Sequence, residues 1–233
     1  MTTNTKWWDE SRNSIKGCTK ISPGCQNCYA CELIKKDGGD PHKITFQEDK
    51  LKIPQSWKKS KIIFMNSMSD MFHTHVPDEW IDKIFIGIRE SPHHKNLILT
   101  KRPERMYSYC KNYLEKHGRF PKSVWLGVTA EDQIRADERL PLLLETPAYH
   151  HFVSIEPMLE PIELNFSGKY KLDWTIVGGE KSWNKARFMN PDWARNVRDQ
   201  CKMNNVPFFM KQMTNDAPIP VDLNIKEFPM GLK

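Results

Sequence analysis

Six short apolar runs recur along the chain: Lys61–Met65, Asn96–Thr100, Ser123–Val128, His151–Ile155, Asp173–Val177 and Val206–Met210. Each is nearly continuous in apolar residues, the pattern of a strand buried on both faces of a parallel sheet. A shorter strand is expected at about Asn13–Lys16. Between the runs, apolar residues fall at helical spacing. Pro77–Arg89 carries Trp80, Ile81, Ile84, Phe85 and Ile88 on one face, with Pro77 suited to a first turn. Arg105–His117 precedes Gly118, a good residue just past a helix end. Ala130–Leu140 should stop at Pro141, and Pro191–Asn204 completes the set. The stretch after Ile155 holds Pro157 and Pro161 and reads as a loop. The alternation predicts an α/β fold, a full or partial (βα) barrel of six to seven βα units. A doubly wound open sheet is the main competitor.

No low-complexity linker divides the sequence, so residues 1–233 read as one domain, with 214–233 as a C-terminal extension. That length suffices for one sizeable core. No apolar run approaches the roughly 20 residues of a membrane helix. The first residues lack the charged-then-apolar layout of a secretion signal. The chain is therefore expected in the cytoplasm, with reduced thiols and no membrane partner. Its formal charge of +6 permits an anionic partner such as nucleic acid without demanding one. The tightest basic group, Lys58-Lys59-Ser60-Lys61, reads as a solvated strand entry.

A barrel places functional residues just after each strand, at the C-terminal mouth. Here those positions are polar: Asn66, Ser67, Ser69 and Asp70, then Thr100, Lys101 and Arg102, then Glu131 and Asp132. Ser154 and Glu156, then Gly178, Gly179 and Glu180, then Lys211 follow. Carboxylates mixed with Lys101, Arg102 and Lys211 suit a zwitterionic or charged ligand. Gly178 and Gly179 could let a ligand approach the backbone, although Gly-Gly-Glu alone also suits a simple turn. His73, His75, His93, His94, His150 and His151 flank strands or lie in loops and read as structural. Trp7 and Trp8 read as cover for the barrel floor rather than as base-stacking platforms.

Four cysteines crowd the segment where the first strand would end: Cys18, Cys25, Cys28 and Cys31, with gaps of six, two and two residues. Thiolates gathered in this way hold soft metals or iron–sulfur clusters. Zinc bound by four thiolates is the alternative, but zinc ribbons divide their cysteines into two distant pairs. Gly17, Pro23 and Gly24 suit a loop wrapped round a bulky cluster. Three thiolates on a four-iron cluster leave one iron open. Cys110 and Cys201 lie in helix-like runs and read as ordinary buried thiols.

Several long motifs carry a resemblance: Gly17–Ala30, Asn66–His73, Leu99–Arg105, Trp125–Gln133, Phe152–Met158 and Val177–Glu180. Through them the chain resembles the phage gene-product 37/68 family over about residues 7 to 213. That family is in turn similar to radical S-adenosylmethionine (SAM) enzymes. The resemblance implies a barrel of the radical SAM type whose cluster loop is 17–31. Cys18, Cys25 and Cys28 would bind three irons of a [4Fe–4S] cluster, Tyr29 would flank it, and SAM would chelate the fourth iron. Asn66, Ser67, Ser69, Asp70, Thr100, Glu131, Ser154, Gly178, Gly179 and Glu180 are then the candidate cofactor contacts. Lys101, Glu156 and Lys211 are the candidate catalytic residues.

Three features depart from the usual radical SAM pattern. The first cysteine gap is longer, Gly-Gly-Glu follows the sixth predicted strand rather than the second, and Cys31 is an extra thiol. The implied chemistry is hydrogen abstraction by a 5′-deoxyadenosyl radical, with electrons from a donor such as a flavodoxin. The implied substrate is a nucleotide or modified DNA in the host cytoplasm, for example rearrangement of an amino-acid-substituted thymine by an isomerase. The rival reading is a non-catalytic barrel that binds nucleic acid or a partner, with a structural zinc or a fully ligated cluster.

Overall fold

A computed structural model describes residues 6–233 except 53, 183 and 184. Seven parallel strands form one sheet: β1 (Glu10–Arg12), β4 (Ile62–Met65), β5 (Lys95–Thr100), β6 (Val124–Thr129), β7 (His150–Ile155), β8 (Trp174–Gly178) and β9 (Phe208–Gln212). They stand side by side in chain order, so the strand order never reverses. A doubly wound sheet needs that reversal. Two further strands, β2 (Ile15–Lys16) and β3 (Thr45–Phe46), pair with each other as a small antiparallel ribbon. The helices are α1 (Tyr29–Lys36), α2 (Asp78–Glu90), α3 (Pro103–His117), α4 (Gln133–Glu145) and α5 (Pro191–Met203).

The sheet curls. Trp7 is buried, and its indole lies 4.9 Å from the Phe64 ring on β4, 5.7 Å from Phe152 on β7 and 5.7 Å from Trp174 on β8. In a flat sheet β4 and β8 would lie about 19 Å apart. Only a trough lets one indole touch both. The sheet's two edges, β1 and β9, do not pair, so the barrel is half closed. Alternate residues face the trough: Phe64, Leu97, Trp125, Phe152, Trp174 and Phe209 form its apolar floor. The intervening residues, among them Ile63, Ile98, Leu126, Val153, Val177 and Met210, belong to the larger core that includes the helices.

The 214–233 segment helps to close this floor. Ile225 and Glu227 hydrogen-bond with the backbone of β9 and cover its free edge. Glu227 O accepts from Trp174 Nε1 at 2.9 Å, and Phe228 packs on Trp174 and Phe209.

Three expectations are corrected. The strand expected at about Asn13–Lys16 exists as β2 (Ile15–Lys16) but belongs to the ribbon, and the first strand of the sheet is Glu10–Arg12, which pairs with Ile63–Met65. Its polar residues are half-buried at the sheet edge, so no apolar signal marks them. Helix α4 starts at Gln133, because Asp132 Oδ1 accepts from Arg135 N at 2.9 Å and caps it. It also runs past Pro141, which sits on the exposed side while Leu143 and Leu144 bury themselves in the core. Their burial offsets a proline cost of about 3 kcal/mol. Helix α1, announced by no clear apolar pattern, begins directly after Cys28.

Candidate functional site at the strand ends

The cysteine loop leaves the β2–β3 ribbon at Gly17. Its φ of +89° and the carbonyl of Lys43, 2.2 Å from where a Cβ would lie, admit glycine alone. Cys18, Cys25, Cys28 and Cys31 are free and half-buried, whereas Cys110 and Cys201 are free and fully buried in the core.

Side chains from four strand ends fasten this loop. After β4, Asp70 accepts from Thr100 Oγ1 (2.7 Å), Lys101 N (3.1 Å) and Arg102 Nη1 (2.8 Å). Arg102 Nη2 then donates to the Thr19 carbonyl at 3.0 Å and to Thr19 Oγ1 at 3.1 Å. His73 Nδ1 accepts from His75 N, so Nε2 carries the proton and donates to Thr19 Oγ1 at 2.7 Å. After β6, Glu131 is fully buried, pairs with Arg139 at 2.9 Å and accepts from Gly24 N at 3.3 Å. After β8, Glu180 accepts from Asn27 Nδ2 at 3.2 Å and from Arg187 Nε at 2.9 Å. Tyr29 Oη donates to the Ser67 carbonyl at 2.8 Å.

The electrostatics follow from burial and these pairs. Burial pushes the Cys18 thiol up, and Asp70 pushes the same way. The Cys31 thiol donates to Cys28, which lowers the Cys28 value and raises that of Cys31. Burial opposes ionisation of Glu131, but Lys101 and Arg139 outweigh it and hold the carboxyl below its ordinary value. Glu180 is likewise lowered, its burial outweighed by Arg187 and Asn27. Burial, with Arg102 nearby, lowers His73 to about 4 and keeps it neutral.

Several candidate cofactor contacts are occupied by the chain itself. Asn66 Oδ1 accepts from Ile15 N, Ser67 Oγ donates to Asn13 Oδ1, and Ser69 Oγ donates to the Ile15 carbonyl. These three tie the β1–β2 segment to the end of β4. Thr100 serves Asp70, and Glu131 and Glu180 serve the loop. A Cβ at Gly179 would lie 2.3 Å from Thr214 N, so this glycine permits close approach of the chain's own backbone. Gly178 faces Glu156 and Gln212.

The rest face the trough above the aromatic floor. Glu156 accepts from Lys211 Nζ at 2.5 Å and Gln212 Nε2 at 2.7 Å. Ser154 Oγ and Gln212 Oε1 are buried and have no partner among the described residues. Lys101 is half-buried, and its Nζ makes no hydrogen bond or close ion pair among them, although its charge acts on Glu131 and Cys28. Arg139 and Arg187 were not legible as site residues, because each lies away from the strand ends and acts through a carboxylate seven or eight residues before it; Gln212, which follows Lys211 at a strand end, acts through Glu156.

As placed, no three His, Cys, Asp or Glu side chains among the described residues are arranged to hold a metal ion. The donor chemistry nonetheless fits a cluster. Three free thiols share one short loop beside the cationic Arg102 and Lys101, and a cluster takes each thiolate on a separate corner.

Fold and site thus define a mixed α/β half-barrel with a cysteine loop fastened across its C-terminal mouth. The chain belongs to the family described as protein of unknown function (DUF5131), whose family model matches residues 2–223. No curated protein and no solved structure matches it. Among the described residues no helix is long and apolar enough to cross a membrane.

Proposed function

We propose that the chain is a radical SAM enzyme. The observation that carries this reading is a loop of free, half-buried cysteines fastened over strand ends that also hold buried polar atoms without a partner among the described residues. A [4Fe–4S] cluster on Cys18, Cys25 and Cys28 would supply reductive cleavage of SAM, whose 5′-deoxyadenosyl radical takes hydrogen from substrate.

The chain's own residues would then bind, orient and exclude water. Asp70, Glu131 and Glu180 hold the loop at a fixed height above the sheet. Ser154 Oγ and Gln212 Oε1 offer hydrogen bonds that the protein leaves unused. Lys101 offers a cation for a carboxylate or phosphate, and the Glu156–Lys211 pair offers both charges to a zwitterion. Beneath them the aromatic floor of Phe64, Phe152 and Trp174 keeps water from the reacting end. The family resemblance directs the substrate towards a nucleotide or modified DNA, and the chemistry towards rearrangement.

Anaerobic purification followed by iron, sulfide and zinc analysis tests the reading, with assay of 5′-deoxyadenosine after reduction in the presence of SAM. Equal iron and sulfide together with 5′-deoxyadenosine support it. Zinc alone, or a cluster indifferent to SAM, overturns it. The contact between Cys31 and Cys28 favours a second reading, a four-thiolate structural site. Cys31→Ala separates the two: a three-cysteine site keeps its iron, whereas a four-cysteine site loses metal and stability.

A further inference from the structure

At the end of the sheet opposite the cysteines lies a groove of about 600 Å³. It sits where the chain enters β5, β6 and β7, between the last turns of α2 and α3 and the loop that follows α3. Its volume is in the range that ligand-sized sites occupy. Arg89, His117, Arg119 and Lys122 line it, and no Asp or Glu does. Tyr113 and Tyr149 supply aromatic surface among these cations.

The arrangement is partly pre-set. Arg89 Nη1 donates to Tyr113 Oη at 2.6 Å, and the His117 ring stands 4.3 Å from the Tyr113 ring. Lys122 Nζ lies 5.6 Å from the Tyr149 ring, which is 49% exposed. Arg89 and His117 fall in the last turns of their helices, where a cation offsets the helix dipole. That explanation does not reach Arg119 and Lys122, which follow α3 in a loop. Neither has a carboxylate partner among the described residues.

Unpaired cations interleaved with an exposed aromatic ring are what a phosphate backbone and an unstacked base require. An acidic protein surface would use the cations but not the ring. A duplex would hide its base faces. We propose that this groove binds a nucleotide unit of single-stranded nucleic acid, with phosphate on Arg119 and Lys122 and base on Tyr149. The site rests on no part of the cluster reading, because it lies at the other end of the strands and needs no metal.

The test uses the full chain and a fluorescent oligothymidylate, read by anisotropy at several salt concentrations. The expected result is salt-dependent binding. Arg119→Glu combined with Lys122→Glu should weaken it roughly tenfold or more and flatten the salt slope. Tyr149→Ala should weaken it roughly five- to tenfold and leave the slope unchanged. Lys35→Glu combined with Lys202→Glu, exposed lysines elsewhere with the same change in charge, should have a much smaller effect. Circular dichroism confirms folding of each variant. Equal losses from the two double variants would overturn the proposal, as would failure to bind the oligonucleotide. Competition by polyglutamate with no effect of Tyr149→Ala would reassign the groove to an acidic protein. Binding of free thymidine monophosphate as tightly as the oligomer would reassign it to a small nucleotide.

Discussion

Arg102 Nη1 stands 2.8 Å from Asp70 Oδ2 and 3.8 Å from Cys18 Sγ, so one buried guanidinium joins the sheet to the first cysteine. Both partners of the ion pair are less than one-tenth exposed. Such a pair contributes little over an apolar replacement, but loss of one member leaves an uncompensated buried charge. Arg102→Ala should therefore destabilise the protein by about 3 kcal/mol, at the low end for this class of change, because Thr100 and two backbone amides still serve Asp70. It should also free the loop, since Thr19 loses both guanidinium contacts. Urea denaturation measures the first effect, and tryptic cleavage at Lys20 the second. Unchanged cleavage would show that the loop is held without Arg102.

Glu131 sets an acid limit. Its folded pKa lies below the ordinary 4.5, because Lys101 and Arg139 outweigh its burial. A carboxylate lowered on folding stabilises fully above its unfolded value and loses that contribution as pH falls through the folded one. Glu131→Gln should thus be clearly less stable than the wild type at neutral pH. The gap should narrow as pH falls below about 4.5. Urea midpoints of both proteins at several pH values check this, and a gap independent of pH would refute it.

Trp7 is the test of the curled sheet. Its indole spans rings on β4, β7 and β8, so truncation leaves a cavity that no single strand can fill. Trp7→Ala should cost about 3–5 kcal/mol. Trp8, which is half-buried and edge-on to Trp7, should cost less. Equal, small losses for both would mean that the trough has no central plug.

Strands β4 to β9 were legible because burial on both faces demands near-continuous apolar sequence. The polar strand ends were legible as a set for the same reason, since they interrupt that pattern. What each polar residue does was not legible. Asp70 meets Arg102, Glu131 meets Arg139, and Glu180 meets Arg187, and sequence spacing cannot rank such pairings against contact with a ligand. Strand β1 was hidden because an edge strand can be polar on both faces. Pro141 misled because its missing amide falls on the solvent side of a helix held by tertiary packing.

Ser154 separates structural from ligand roles most cleanly. Its Oγ is buried, faces the trough above Phe152, and has no partner among the described residues. A buried hydroxyl without a partner costs stability, so Ser154→Ala should leave stability unchanged or raise it by up to about 1–3 kcal/mol. If the trough takes a polar ligand at this point, the same change removes a hydrogen bond from the complex. Affinity for SAM should then fall roughly tenfold, a net loss of about 1.4 kcal/mol. Thermal denaturation of the ligand-free protein and calorimetric titration of the reduced, cluster-loaded protein with SAM give the two numbers. Higher stability with weaker binding would place the hydroxyl in the ligand site. Lower stability with unchanged binding would mean that Ser154 serves the fold through a contact made in solution, and the SAM contact would pass to the next unpartnered acceptor, Gln212 Oε1.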